Sequence, residues 1–256
     1  MNGKVDKVRA ELVAALLEDE SRLGEVYRYL GEGLTAEEIA VRMEIASPGH
    51  AENYAQQVDA ILDGRLPLNS HLASHTAGRL RRWQQSKTWT PPAREHLDSL
   101  LAGLENIATD VHLVERERNE AHRLTAEVEK LGLIGIYVYS LPHYLRFPYD
   151  PESGRTLCKV GHSTMDVYSG IGGEARTTAL PEDPVLLRVY ATEGKLSAQE
   201  ERHFHEWLAA ADHGRSRSAR GNREWYLTTT KFLDRVARQR GLEITVVSAD
   251  LDGAED

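Results

Sequence analysis

The sequence of 256 residues contains a single cysteine, Cys158. One cysteine cannot form a disulfide within the chain, and a structural zinc site built on several cysteines is excluded. This usage is typical of the reducing cytoplasm, which is the location that we expect. No apolar run approaches the roughly 20 residues of a bilayer span, and the charged first 20 residues lack the apolar stretch of a secretory signal. We therefore expect no membrane association.

Basic residues are also scarce, because 31 Lys and Arg face 40 Asp and Glu, for a net charge of -9. This balance argues mildly against a nucleic-acid partner, although the distribution of charge matters more than its sum. Residues 1–63 are strongly acidic, and two segments are basic. One contains Arg79, Arg81, Arg82 and Lys87, and the other contains Arg215, Arg217, Arg220 and Arg223. Each segment is either a phosphate-binding surface or a solvated face.

The first 64 residues show helical spacing of apolar side chains. We predict four helices, at about 5–17, 23–30, 36–43 and 48–63. Gly31 and Gly33 end the second helix. Thr35 and Glu38 form a capping box at the start of the third, and Ser47 caps the fourth.

The third and fourth predicted helices, separated by a short turn, resemble the helix-turn-helix of LuxR-like bacterial regulators. This resemblance implies an outward-facing polar surface on the fourth helix, where Asn and Gln side chains suit adenine. Its members are Gly49, His50, Glu52, Asn53, Gln56 and Gln57, of which His50, Asn53, Gln56 and Gln57 are the candidate DNA-binding residues. The alternative is a small helical bundle that binds a protein or no partner at all.

Residues 65–92 mix loop signals with the first basic segment, and Pro91-Pro92 ends them. From Ala93 to about Leu131 we predict one long helix. Its apolar residues alternate three and four apart, as in a heptad repeat: Leu97, Leu100, Leu104, Ile107, Val111 and Val114. This pattern indicates either a dimerising coiled coil, giving a homodimer, or a helix that packs on a neighbouring domain.

From Leu133 the pattern changes to short apolar and β-branched segments. We predict strands at 134–140, 156–162, 185–191, 224–228 and 242–247, and helices at 197–211 and 231–240. Ser197 stands at the N-cap position of the first of these helices, with Glu200 three residues later. The chain is therefore expected to be α+β, with a helical region at 1–92, a linking helix at 93–132 and a small mixed domain at 133–256.

Five motifs follow one another in the mixed domain: Gly135-Ile-Tyr137, Lys159-Val-Gly161, Arg176, Glu201-Arg-His-Phe-His205 and Glu224-Trp-Tyr226. This ordered set resembles the phage-type branch of the GIY-YIG endonucleases, over about residues 133–230. The resemblance implies a small α/β sandwich with a central antiparallel sheet. It also implies hydrolysis of DNA phosphodiester bonds with Mg²⁺ or Mn²⁺ as cofactor.

The resemblance assigns roles to five residues. Tyr137 activates or positions water, Glu201 is the metal ligand, and Arg176 binds phosphate. Lys159 stands where many members have a tyrosine, and an ammonium there suits the attacked phosphate or a lowered pKa of Tyr137. His205, one helical turn after Glu201, orients the carboxylate or transfers a proton.

Several neighbouring residues leave the site open to other assignments. Glu200 is a rival metal ligand, His162 and His203 lie close to the motif, and Asn222 or Glu224 completes the site. The arginines from Arg215 to Arg223 form either a phosphate-binding loop or a soluble surface loop. The overall expectation is a DNA endonuclease targeted by its helix-turn-helix. The alternatives are a DNA-binding regulator, or a protein-interaction module, with a degenerate nuclease domain.

Overall fold

The computed structural model describes residues 2–45, 48–131, 133–150, 154–163, 182–192, 196–214 and 225–248. The chain divides into two compact units, Met1–Glu117 and Arg118–Glu255. The described part of the first unit is helical, and the second contains a five-stranded sheet. The predicted α+β class is therefore confirmed. Within these ranges, no helix is both long enough and apolar enough to cross a membrane.

The first unit is built of helices, several of which begin at a side-chain cap. They are α1 Asn2–Glu18, α2 Arg22–Gly31, α3 Ala36–Arg42, α4 Pro48–Asp63, α5 Ser70–Ser86, α6 Pro91–Ala108 and the first part of α7 Val111–Lys130. The capping box is confirmed, since Thr35 Oγ1 accepts from Glu38 N at 3.3 Å and Glu38 Oε2 accepts from Thr35 N at 2.8 Å. Gly33 adopts a φ of 82°, a left-handed conformation that suits glycine after a helix. Ser47 lies outside the described residues.

The stretch 65–92 is more helical than its loop signals predicted. Asn69 Oδ1 accepts from Leu72 N at 2.6 Å and begins α5, which carries the first basic segment. Arg79 of this segment is buried, and its Nη1 donates to Ser21 Oγ at 2.8 Å and lies 3.7 Å from Asp19 Oδ2. Arg79 therefore fixes helices to one another and is not part of a phosphate-binding surface.

The single long helix predicted from Ala93 to Leu131 is wrong, because the chain forms two helices with a break at Thr109 and Asp110. Asp110 Oδ1 accepts from His112 N at 2.9 Å and Leu113 N at 3.1 Å, which makes it the cap of a new helix. The apolar seam of α6 is buried within the first unit, where α6 packs on α5. Its members are Leu97, Leu100 and Leu104, whereas Val111 is exposed. The heptad spacing thus reflects packing within the chain.

The second unit is built on an antiparallel sheet of order β4-β2-β1-β3-β5. The strands are β1 Gly135–Ser140, β2 Thr156–Ser163, β3 Val185–Ala191, β4 Trp225–Thr228 and β5 Ile244–Val246. The helices are α8 Pro142–Arg146, α9 Ser197–Ala210 and α10 Thr230–Gln239. The predicted central antiparallel sheet is confirmed. Ser197 is the first residue of α9 rather than its cap, because Leu196 occupies the N-cap position without a side-chain hydrogen bond.

Both faces of the sheet are covered, and alternation along the strands assigns side chains to each face. On one face, Ile136, Val138 and Val160 pack with residues of α9 and α10: Phe204, Leu208, Leu233 and Val236. On the other face, Tyr137, Tyr139 and Trp225 pack with Leu124 and Val128 of α7. We call these the α9 face and the tyrosine face.

A buried polar network anchors α10 to β3 on the α9 face. Arg188 is fully buried, and its Nε donates to both carboxylate oxygens of Asp234 at 3.2 Å. The hydroxyl of Tyr190 donates to Asp234 Oδ1 at 2.8 Å. A charge pair as buried as this is destabilising unless its hydrogen bonds are made, so the three residues act as one structural group.

Candidate active site

Tyr137 lies on β1 with its ring across the neighbouring strand β2. Its register partner is Gly161, and a Cβ atom added to Gly161 would lie 2.6 Å from the Tyr137 hydroxyl oxygen. No side chain larger than hydrogen fits at Gly161 while Tyr137 keeps this position. The glycine of the Lys159-Val-Gly161 motif therefore lets the hydroxyl of Tyr137 lie directly against the backbone of β2.

Lys159 lies on the same face as Tyr137 but pairs in register with Tyr139. Its Nζ is 5.6 Å from the centroid of the Tyr139 ring, and the residue is only 6% exposed. Trp225 packs edge-on against the same ring at 5.6 Å. The tyrosine ring stabilises the buried ammonium through its negative face. The structure thus places Lys159 beside Tyr139 and on the tyrosine face.

Glu201 extends from α9 towards the end of β2. Its Oε2 lies 2.7 Å from Nδ1 of His162, and its Oε1 lies 3.9 Å from Nε2 of His205. The first distance is a hydrogen bond and the second is not. The partner of Glu201 is therefore His162, a residue that spacing alone did not select. A helix residue and a strand residue 39 positions apart give no periodic signal, so only the fold brings them together.

His205 binds the backbone of β2 rather than the carboxylate. Its Nε2 lies 3.1 Å from the carbonyl oxygen of Val160, and its ring packs on Tyr226 with centroids 5.0 Å apart. Because a carbonyl oxygen only accepts, Nε2 must carry the proton. The expectation that His205 orients Glu201 is not supported, since its hydrogen bond goes to Val160.

These contacts converge on three consecutive residues of β2. His205 binds Val160, Tyr137 lies against Gly161, and Glu201 binds His162. Tyr137 approaches from the tyrosine face, and the groups of α9 approach from the opposite side of the strand. We call Val160–His162 with its three partners the β2 cluster. It is partly open, since the side chains of His162 and Glu201 are 30% and 13% exposed.

Glu200, the rival metal ligand, is fully engaged elsewhere. Arg240 donates to both of its carboxylate oxygens, Nε to Oε2 and Nη2 to Oε1, each at 2.8 Å. These hydrogen bonds hold the pKa of Glu200 below its usual value despite the opposing effect of burial. Glu200 therefore ties α9 to α10 as a bidentate ion pair, and Glu201 is the carboxylate left for chemistry. His203 forms an ion pair with the exposed Glu206, at 3.5 Å.

His213, another histidine of the second unit, has a structural role. It lies just after α9, with Nδ1 2.7 Å from Thr228 Oγ1 and its ring 4.2 Å from that of Phe232. Burial and, to a smaller extent, the nearby charge of Arg155 lower the pKa of His213 to about 4. The imidazole is therefore neutral in the folded protein at physiological pH.

The polar surface predicted on α4 is only partly exposed. Asn53 is 8% exposed and Gln57 is completely buried, whereas Gln56 is exposed and His50 is half-buried. The expectation that Asn53 and Gln57 face outward is wrong, because α4 packs against both α2 and α3 and so buries a wider arc of its surface. Base contacts by Asn53 and Gln57 would require α4 to leave its place.

Several predicted site residues lie outside the described residues. They are Arg176, Arg215, Arg217, Arg220, Arg223 and the two candidates for completing the site, Asn222 and Glu224. Their roles stay predictions. The described part of the β2 cluster contributes a hydroxyl, a carboxylate and two imidazoles.

Within the described ranges, no group of three or more His, Cys, Asp and Glu side chains is arranged to hold a metal ion. Mg²⁺ does not need such a group, since it keeps several waters and is bound by one or two carboxylates together with substrate phosphates. Glu201 suits this chemistry. Its Oε2 is bound by His162, and its Oε1 has no contact shorter than 3.9 Å among the described polar groups.

Comparisons of the chain with protein-family models, with curated proteins and with solved structures find no match.

Proposed function

We propose that the chain is a metal-dependent DNA endonuclease of the GIY-YIG type, working in the cytoplasm, with its active site at the β2 cluster. The observation that carries the proposal is the convergence of the Tyr137 hydroxyl, Glu201 and two histidines on Val160–His162. The first and fourth motifs of the sequence thus contact consecutive residues of the second. Tyr137, which is 3% exposed, reaches β2 from the tyrosine face, whereas Glu201 and His205 reach it from the α9 face.

The chemistry divides among the residues as follows. The resemblance assigns the attacking water to Tyr137 and the charge on the phosphate to Arg176 and Lys159. Of these, Lys159 is buried with its ammonium against the Tyr139 ring. A Mg²⁺ or Mn²⁺ ion on Glu201 would supply Lewis-acid stabilisation of the leaving 3′ oxygen. His205, whose Nε2 proton is held by Val160, presents Nδ1 as the ring nitrogen that is free to accept a proton.

For the first unit we propose a targeting role, with a protein partner as the favoured target. Two observations favour protein over DNA: Asn53 and Gln57 are buried, and α3 exposes Glu37 and Glu38, with Glu44 exposed just after its end. Acidic surfaces repel phosphate, so we expect DNA contact to come mainly from the second unit. A chain that binds DNA or protein without cutting remains the second candidate function.

The proposal is tested by cleavage of supercoiled plasmid with Mg²⁺ or Mn²⁺, comparing wild type with Glu201→Ala. Glu206→Ala is the matched control, because Glu206 lies on the same helix and its side chain is 73% exposed. We expect nicking or linearisation by wild type and Glu206→Ala, and a loss of at least about 10²-fold in Glu201→Ala.

Two outcomes count against the proposal. Equal cutting by all three proteins would show that Glu201 is not part of the active site. No cutting by any of them, with DNA still retarded on a gel, would favour the non-catalytic binding protein.

A further inference from the structure

His162 is the hydrogen-bond partner of Glu201. His162 pairs in register with Ile136 of β1, beyond the stretch of β2 that pairs with β4, and Glu201 lies on α9, which packs through the buried Phe204 and Leu208. The distance of 2.7 Å between Nδ1 and Oε2 is typical of a charge-assisted hydrogen bond. In the described part of the chain, this is the hydrogen bond that the Glu201 carboxylate receives.

The direction of this bond follows from the acceptor. An ionised carboxylate only accepts, so Nδ1 of His162 carries the proton and donates it. His205 does not compete for the carboxylate, because its own Nε2 proton goes to the carbonyl of Val160 at 3.1 Å. The two histidines therefore have separate partners, and His162 is the one that is hydrogen-bonded to Glu201.

We propose that His162 is a positioning residue that holds Glu201 so that Oε1 is presented to a divalent cation. This inference rests on the proposed function and adds to it the residue that prepares the metal ligand. A glutamate side chain has three rotatable bonds, and a cation that binds through one oxygen must fix them. The bond from His162 to Oε2 fixes them in advance and leaves the other oxygen open.

A purely structural role for the pair predicts something different. If the bond only fastens α9 to β2, its loss lowers stability and leaves cation binding unchanged in the molecules that stay folded. If it positions the carboxylate, its loss weakens cation binding by the 10- to 100-fold typical of residues that orient a metal ligand. Cation affinity measured on folded protein separates the two roles.

Two variants of His162 distinguish the loss of this hydrogen bond from the loss of the ring itself. In His162→Asn, the side-chain amide nitrogen can occupy the place of Nδ1 and donate to Oε2. In His162→Gln, the amide nitrogen corresponds to Nε2, which makes no contact with Glu201. We compare both, together with His162→Ala and Glu201→Ala, by titrating the protein alone with Mn²⁺ and following free Mn²⁺ by electron paramagnetic resonance. Circular dichroism confirms folding.

The expected result is Mn²⁺ binding that Glu201→Ala abolishes, that His162→Asn retains, and that His162→Gln and His162→Ala weaken about 10- to 100-fold. Unchanged affinity in His162→Ala overturns the inference, as does wild type that binds no more Mn²⁺ than Glu201→Ala. Plasmid cleavage separates the two proposals. Cutting that needs Glu201 but not His162 leaves the nuclease and removes the positioning role. Binding that depends on His162 without any cutting leaves the cation site and removes the nuclease.

Discussion

Gln57 in the first unit and Asp234 in the second are both buried polar side chains, but their surroundings differ. Neither amide atom of Gln57 has a hydrogen-bond partner among the described residues, although the side chain is completely buried. Asp234 accepts hydrogen bonds from Arg188 and Tyr190. At Asp234 the second unit thus pairs a buried carboxylate, and it places Glu201 and His162 at a partly open position. At Gln57 the first unit buries an amide without a described hydrogen-bond partner, which lowers its stability.

The largest expected effect is on the second unit. Asp234→Ala leaves the charge of Arg188 buried without its carboxylate, and we expect a loss of about 3 to 5 kcal/mol in the free energy of unfolding. Asp183→Ala, at a 70% exposed side chain 3.5 Å from Arg118, should cost less than about 0.5 kcal/mol. Peptide-resolved hydrogen exchange should show the loss in β3 and α10. If the two units of Asp234→Ala were equally protected from hydrogen exchange, the destabilisation would not be specific to the second unit, and the contrast between the units would be contradicted.

Low pH should also lower the stability of the second unit, through protonation of His213 in the unfolded chain. Its pKa is about 4 when folded and about 6.5 when unfolded, so between these values the unfolded chain binds a proton that the folded chain does not. Stability is therefore complete above about pH 6.5 and falls by about 1 to 3 kcal/mol as the pH falls to 4. His213→Gln should flatten this dependence in urea titrations. His203→Gln, at a more exposed site on α9, is the control for the substitution itself.

Gly161→Ala tests the close approach of Tyr137 to β2. The added methyl meets the hydroxyl, so we expect a loss of about 1 to 3 kcal/mol in stability, and of cleavage activity because Tyr137 must move. Gly214→Ala is the matched control, since nothing lies within 4 Å of its Cβ position. A stable and fully active Gly161→Ala would contradict the place given to Tyr137 in the β2 cluster.

The smallest effect, and the one of opposite sign, belongs to the first unit. Gln57→Met replaces an unpaired amide by an apolar chain of similar size, and we expect a gain of about 1 kcal/mol or more. Gln56→Met, one residue earlier and exposed, should give no gain. Urea denaturation measures both, and gel retardation shows whether DNA binding changes. If Gln57→Met lost DNA binding, the prediction that α4 is a DNA-binding helix would be supported after all.

The sequence predicted secondary structure well where the local signal was strong. The strands at 134–140, 156–162 and 185–191 and the capping box at Thr35 are confirmed, since alternation and caps are local properties. The break at Asp110 was missed because Leu97, Leu104 and Val111 keep a seven-residue spacing across it. A heptad pattern reports which residues are apolar and not whether the axis is continuous.

The candidate site could be assembled from the sequence only in part. Tyr137 and Glu201 are predicted through their motifs, but the contact of Glu201 with His162 is not, because it joins a helix and a strand that are distant in sequence. The prediction that Asn53 and Gln57 face outward was wrong for a related reason. Helical spacing shows which residues share a face, whereas the number of neighbouring helices decides how wide the buried face is.

The neighbouring carboxylates of Glu200 and Glu201 accept hydrogen bonds from different directions, one from Arg240 and the other from His162. Adjacent helix positions differ by about 100° around the axis, so these two contacts fix the rotational phase of α9. One residue inserted or deleted between Glu201 and the buried Phe204 would turn both carboxylates by about 100° relative to the packed part of α9, and so away from their partners. We therefore expect this segment to keep its length among functional variants of the chain, even where its other side chains change freely.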